Sequence, residues 1–199
     1  MVLITERIAL FDIYQFTQEL IGAEVRTPKV IIVSPLIKSI NYYVKASGVF
    51  SSIHGESLGD QLKTEDFVDM LFRSNKETDM KIVTKSPSRY KYENLFYTVN
   101  ELEFLIAVAQ GGAKLYFFGH HKKYFLTNFG VITGSANYTP SGRYLNPEST
   151  FFFSVNEPTY KECLQDIGFL LNKSEYKGKD TIPFLQQKLE EFKATLGVS

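Results

Sequence analysis

The sequence has one cysteine, no tryptophan, three histidines and no excess of either charge: 22 Lys and Arg balance 22 Asp and Glu over 199 residues. A lone Cys163 excludes a disulfide scaffold and a Cys-rich zinc site. Balanced charge argues against indiscriminate nucleic-acid binding unless the basic residues gather on one face. No apolar run reaches the ~18 residues that a membrane span requires. Met1 to Arg7 lacks the basic-then-apolar pattern of a secretory leader. The expected setting is therefore cytoplasmic, with no membrane span. What the chain has is apolar bulk, 44% hydrophobic with 17 Phe and 12 Tyr, which is enough for one packed core.

The hydrophobic pattern alternates between two kinds of element. Lys29 to Ile37 is a β-branched run stopped at Ser34-Pro35, and Asp79 to Thr84 is a second, closed by Ser86-Pro87. Continuous rather than alternating apolar character marks strands covered on both faces. Leu62 to Ser74 has helical spacing with Thr64 as its cap, and Tyr92 to Gln110 is helical up to Gly111-Gly112. Strand-like pieces follow at 113–118, 124–127, 130–133 and 149–155, the last with three consecutive Phe that read as core. Helical patterns at 158–171 and 182–196 close the chain. The pattern predicts an α/β fold, a mixed sheet flanked by helices on both faces. It also predicts one domain over 1–199, whose C-terminal helix at 181–197 is the most detachable part.

Two histidines are adjacent and followed by two lysines: His120-His121-Lys122-Lys123. In an extended segment residues i and i+2 face the same way, so His121 and Lys123 converge on one side. His120 then faces the other way and reads as a flanking residue, and His54 reads as incidental in a polar loop. Gly134-Ser135-Ala136-Asn137 adds a hydroxyl and an amide in a small-residue turn, and Glu148 adds a carboxylate before the Phe-rich strand. A nucleophilic imidazole, a fixed cation, two neutral donors and an orienting carboxylate are the parts needed to attack a phosphodiester without a metal. Cys163 falls at a helical core position.

These residues resemble the phospholipase D superfamily, whose signature is His-x-Lys, four residues, Asp, then Gly-Ser-x-Asn. Here the matching residues are His121, Lys123, Gly134, Ser135 and Asn137, with Asn128 where the family has Asp. Asn146-x-Glu148 resembles the family's acidic partner of the imidazole. Ser34-Pro35 and the strand at 114–118 also sit where the family has them. The resemblance spans roughly Lys29 to Val155. It implies an α-β-α sandwich, no metal and no cofactor. His121 would form a phosphohistidine, Lys123 and Asn137 would hold the phosphate oxygens, Ser135 would donate or fix the turn, and Glu148 would orient the ring. Asn128 can replace Asp if that position braces a turn, but not if it sets the charge of the site. A single His-x-Lys implies a homodimer in which the second imidazole comes from the partner, through an isologous interface.

The resemblance covers nucleases and phospholipid-cleaving enzymes. Lys85, Arg89 and Lys91 alternate with tyrosines after a strand, and with Lys114 and Lys122 they could form a basic track for nucleic acid. No segment has the pattern of an interfacial helix. The expected activity is a nuclease acting on DNA or RNA, alone or in a restriction or phage-defence assembly with a protein partner. The alternatives are a phospholipid-cleaving enzyme and an inactive nucleic-acid-binding or scaffold module.

Overall fold

A computed structural model of the chain describes residues 2–5, 26–43, 61–87, 97–144 and 149–196. Ten strands appear among them: β1 (Val2–Thr5), β2 (Lys29–Val33), β3 (Asn41–Tyr43), β4 (Gln61–Lys63), β5 (Asp79–Thr84), β6 (Lys114–Phe117), β7 (Tyr124–Thr127), β8 (Gly130–Gly134), β9 (Ser149–Ser154) and β10 (Glu175–Tyr176). The helices are α1 (Thr64–Ser74), α2 (Val99–Gln110), the short α3 (Pro140–Tyr144), α4 (Pro158–Lys173) and α5 (Thr181–Leu196). Eight strands form one sheet in the order β1-β9-β8-β7-β2-β5-β6-β10, and β3 and β4 make a separate pair. β2, β5 and β6 run parallel, and every other pairing in the sheet is antiparallel.

β2 shows why its sequence does not alternate. Val30 and Ile32 enter one core with Phe67, Leu71, Leu105, Leu185 and Leu189 of α1, α2 and α5. Ile31 and Val33 enter the other, with Tyr160, Cys163, Ile167 and Leu170 of α4. A strand buried on both faces needs apolar side chains at every position. The mixed sheet with helices on both faces is thus the predicted architecture. The Phe-rich strand is divided in the same way: Phe152 packs against the first core and Phe153 against the second.

Several boundaries differ from expectation for identifiable reasons. α2 begins at Val99 because Thr98 and Glu101 form a capping box, with the Thr98 amide donating to Glu101 Oε2 at 2.5 Å. Thr64 does not cap α1; its hydroxyl accepts from the Ile40 amide at 3.0 Å and ties the helix to the loop after β2. β1, which pairs with β9, and the short β10 have no clear sequence signal. α5 packs into the larger core, where Leu185 is fully buried.

Ile82 on β5 is fully buried, whereas Phe169 on α4 is 56% exposed. We expect Ile82→Ala to lower the unfolding free energy in urea by about 2–5 kcal/mol, and Phe169→Ala to change it by less than about 0.5 kcal/mol.

Candidate active site

Because β2, β5 and β6 are parallel, their carboxyl ends share one edge of the sheet. β7 runs antiparallel to β2, so its amino end reaches the same edge. The chain builds outward from β2 through β5 to β6 and then returns to the other side of β2. Ligand sites in open α/β sheets form at such reversals.

Short hydrogen bonds assemble this edge. Ser34, buried just beyond β2, donates its hydroxyl to the Leu36 carbonyl and accepts from the Tyr138 amide at 3.0 Å. The Lys38 amide donates to the Tyr138 carbonyl at 2.9 Å. These contacts bring the turn at 134–139 against the end of β2. Gly134 has a φ of +158°, and a Cβ there would lie 2.1 Å from the Ser149 carbonyl oxygen. That close approach lets the Ser135 amide donate to Ser149 at 3.0 Å, while the Ser135 hydroxyl accepts from the Ser149 amide at 3.0 Å. Ser135 thus fixes the turn.

The segment between β6 and β7 lies across the same edge. His120 is buried, at 7% exposure. Its Nδ1 lies 3.2 Å from the Lys122 carbonyl oxygen. A carbonyl can only accept, so Nδ1 carries the proton. Nε2 is buried without a hydrogen-bond partner, and so is Asn137 Oδ1. Burial lowers the His120 pKa below the usual imidazole value; the Val83 and Lys122 carbonyls oppose this, and Lys85 and His121 add to it. His121 is exposed, and Lys123 Nζ donates to its carbonyl at 3.0 Å. Lys123, Ser34, Thr133 and Asn137 line a small cavity of about 40 Å³.

A carboxylate that sequence reasoning missed stands beside this segment. Asp166 on α4 accepts from Tyr124 Oη at 2.5 Å and pairs with Lys122 Nζ at 3.0 Å. Partial burial pushes its pKa up, but Tyr124 and Lys122 outweigh that and hold it below the usual carboxylate value. Burial, together with the bond to Asp166, pushes the Tyr124 pKa up. The only sequence signal for this contact is the i, i+2 spacing of Lys122 and Tyr124.

Other expected site residues are elsewhere. Asn128 sits at the far end of β7, where its Oδ1 accepts from the Lys29 amide at 2.6 Å; it braces the start of β2. Thr127 supports the same turn through the Phe129 amide at 3.2 Å. Lys114 is not on a track to the site. It begins β6 at the opposite edge, 3.7 Å from Asp79. Lys85, just after β5, is close enough to His120 to act on its charge. His54, Arg89, Lys91, Asn146 and Glu148 lie outside the described residues. Cys163 is buried and its thiol pKa is raised, mainly by burial, as suits a core residue. Among the described residues, no helix is long and apolar enough to cross a membrane.

No family model matches the chain, and no curated protein matches it by sequence. Solved structures do. Nuc from Salmonella typhimurium, described as a phospholipase D family member, matches with a TM-score of 0.51 at 15% identity, over 88% of this chain and 97% of that one. NucT from Helicobacter pylori matches with a TM-score of 0.51 at 12% identity, over the same shares. The chain is thus an α/β sandwich, with the candidate site at the carboxyl edge of its mixed sheet. Its fold is that of the phospholipase D family.

Asn128→Ala leaves the half-buried Lys29 amide without its acceptor, and we expect it to lower stability by about 1–3 kcal/mol in urea unfolding. A second expectation concerns pH. Below about pH 6.5 the unfolded chain takes up a proton that folded His120 resists, so stability falls as the pH drops from there towards the folded value. Urea midpoints at pH 7.5 and pH 5.5 should show a smaller drop for His120→Gln than for the wild type.

Proposed function

We propose that the chain is a phosphodiesterase of the phospholipase D superfamily, acting as a nuclease without a metal. The observation that carries this is the meeting of the His120 to Lys123 segment with the Ser135 and Asn137 turn at one sheet edge, in a fold shared with Nuc and NucT. An imidazole nitrogen of this segment attacks phosphorus. The N–P bond forms as the P–O ester bond breaks, and the leaving oxygen takes a proton from a second imidazole. That imidazole then takes a proton from water, which displaces histidine from phosphorus. Lysine and the Asn137 amide hold the non-bridging oxygens as their charge grows in the pentacoordinate state.

The second imidazole comes from another copy of the chain, which makes the active species a homodimer with the site at its interface. Glu148 is the proposed orienting carboxylate, as in a catalytic triad. Lys85, Lys122 and Lys123 supply positive charge around the site for a polyanionic backbone, with Arg89 and Lys91 continuing from Lys85 along the chain. Asn128 has a bracing role in this reading.

The test is cleavage of labelled single- and double-stranded DNA and RNA in excess EDTA. EDTA-resistant cleavage is expected, with loss of at least about 10³-fold when both His120 and His121 are replaced by Ala. Cleavage that EDTA abolishes would overturn the mechanism. Hydrolysis of phospholipid vesicles with no action on nucleic acid would overturn the substrate class alone.

A further inference from the structure

The segment contains two overlapping His-x-Lys pairs, His120 with Lys122 and His121 with Lys123, and they face opposite ways. We propose that His120 and Lys122 are the working pair, with His120 Nε2 as the nucleophile and the Asn137 amide holding a phosphate oxygen. This rests on the phosphodiesterase reading and specifies its reacting atom.

Core packing shows which way each pair points. Tyr124 and Leu126 pack in the core under α4, and Phe125 in the core on the other side. Lys122 and Tyr124 both reach Asp166 on α4, so the even-numbered residues of this stretch face that helix. On β8, Val131 belongs to the α4 side and Ile132 to the other. The ladder pairs Tyr124 with Thr133, Phe125 with Ile132 and Leu126 with Val131. The ladder ends at the Tyr124–Thr133 pair, and beyond it the His120 to Lys123 segment and the turn after Gly134 continue at the same edge. Lys123 lines the small cavity with Thr133 and Asn137, whereas His120 is buried and close enough to Asp166 to act on its charge.

The chemistry of the ring agrees. The Nδ1–H to the Lys122 carbonyl leaves the lone pair on Nε2. Buried polar atoms are nearly always hydrogen-bonded, yet Nε2 and Asn137 Oδ1 are both buried and unpartnered. A phosphodiester engages both side chains: its phosphorus takes the Nε2 lone pair, and the amide group of Asn137 turns its N–H to an oxygen. When the N–P bond forms, the ring keeps its Nδ1 proton on the Lys122 carbonyl, which takes the orienting role for this ring in place of Glu148, and carries the positive charge until water displaces it. Lys122, anchored by Asp166, is the ammonium on the same face. His121 is exposed, so its ring nitrogens hold no such buried, unpartnered position.

Turnover of bis(p-nitrophenyl) phosphate and of labelled DNA in EDTA should fall by at least about 10³-fold in His120→Gln and in His120→Ala, and by less than about tenfold in His121→Gln. Circular dichroism melts would confirm that the variants fold. Loss in His121→Gln with activity kept in His120→Gln would overturn the assignment and leave the phosphodiesterase reading standing. Activity kept in both would overturn both. A second measurement uses the unmodified protein and needs no turnover: histidine-ring nuclear magnetic resonance during titration with inorganic orthovanadate. Perturbation of the His120 ring nitrogens ahead of those of His121 is expected. Perturbation of His121 alone, or of neither ring, would overturn the assignment.

Discussion

The hydrogen bond from the Tyr138 amide to Ser34 Oγ joins two buried residues 104 positions apart, and the site's geometry depends on it. It fixes the turn at 134–139 to the end of the central strand. The Lys38 amide and the Tyr138 carbonyl close the same contact from the other direction. The Ser34 hydroxyl both donates and accepts within the fold. The same bonds hold the turn that carries Asn137 beside the end of β2.

Around that edge the charges are arranged by depth. Desolvation lowers the pKa of the buried imidazole, whereas the lysines beside it remain in contact with solvent. Lys122 is 56% exposed at its side chain even while paired with Asp166. A buried imidazole beside solvent-exposed ammonium groups is an arrangement that attracts anions. Asp166 keeps the nearest ammonium from wandering, a modest effect for an exposed pair that the Tyr124 hydroxyl reinforces by fixing the carboxylate.

Much of this was legible in the residues themselves. The β-branched runs at 29–33 and 79–84 declare strands covered on both sides, and Ser34-Pro35 together with the Gly-Ser-x-Asn turn mark the working edge. The limits have physical causes. Two adjacent histidines are each followed two residues later by lysine, and the motif spacing favours His121; that His120 is buried and His121 exposed is a property of the folded chain alone. Asn128 shows the reverse case. Its place in a motif suggests a part in the chemistry, whereas its amide oxygen serves the first peptide of β2 at the far end of the strand. Lys114 looks like part of a cationic track until the parallel register carries it to the opposite edge, beside Asp79. β1 and β10 are short and take their conformation from a neighbour's unpaired edge, so their own residues say little.

The position of β2 bears on how fast the chain reaches this state. Its two neighbours in the sheet are β5, which begins with Asp79, and β7, which ends with Thr127. The middle of the sheet therefore cannot form from nearby residues; each pairing first closes a long loop, and the entropy of that closure comes before any hydrogen bond rewards it. Chains with such distant partners at their centre fold slowly for their size. Until β7 arrives, β2 has a bare edge of apolar residues that a second unfolded copy could occupy.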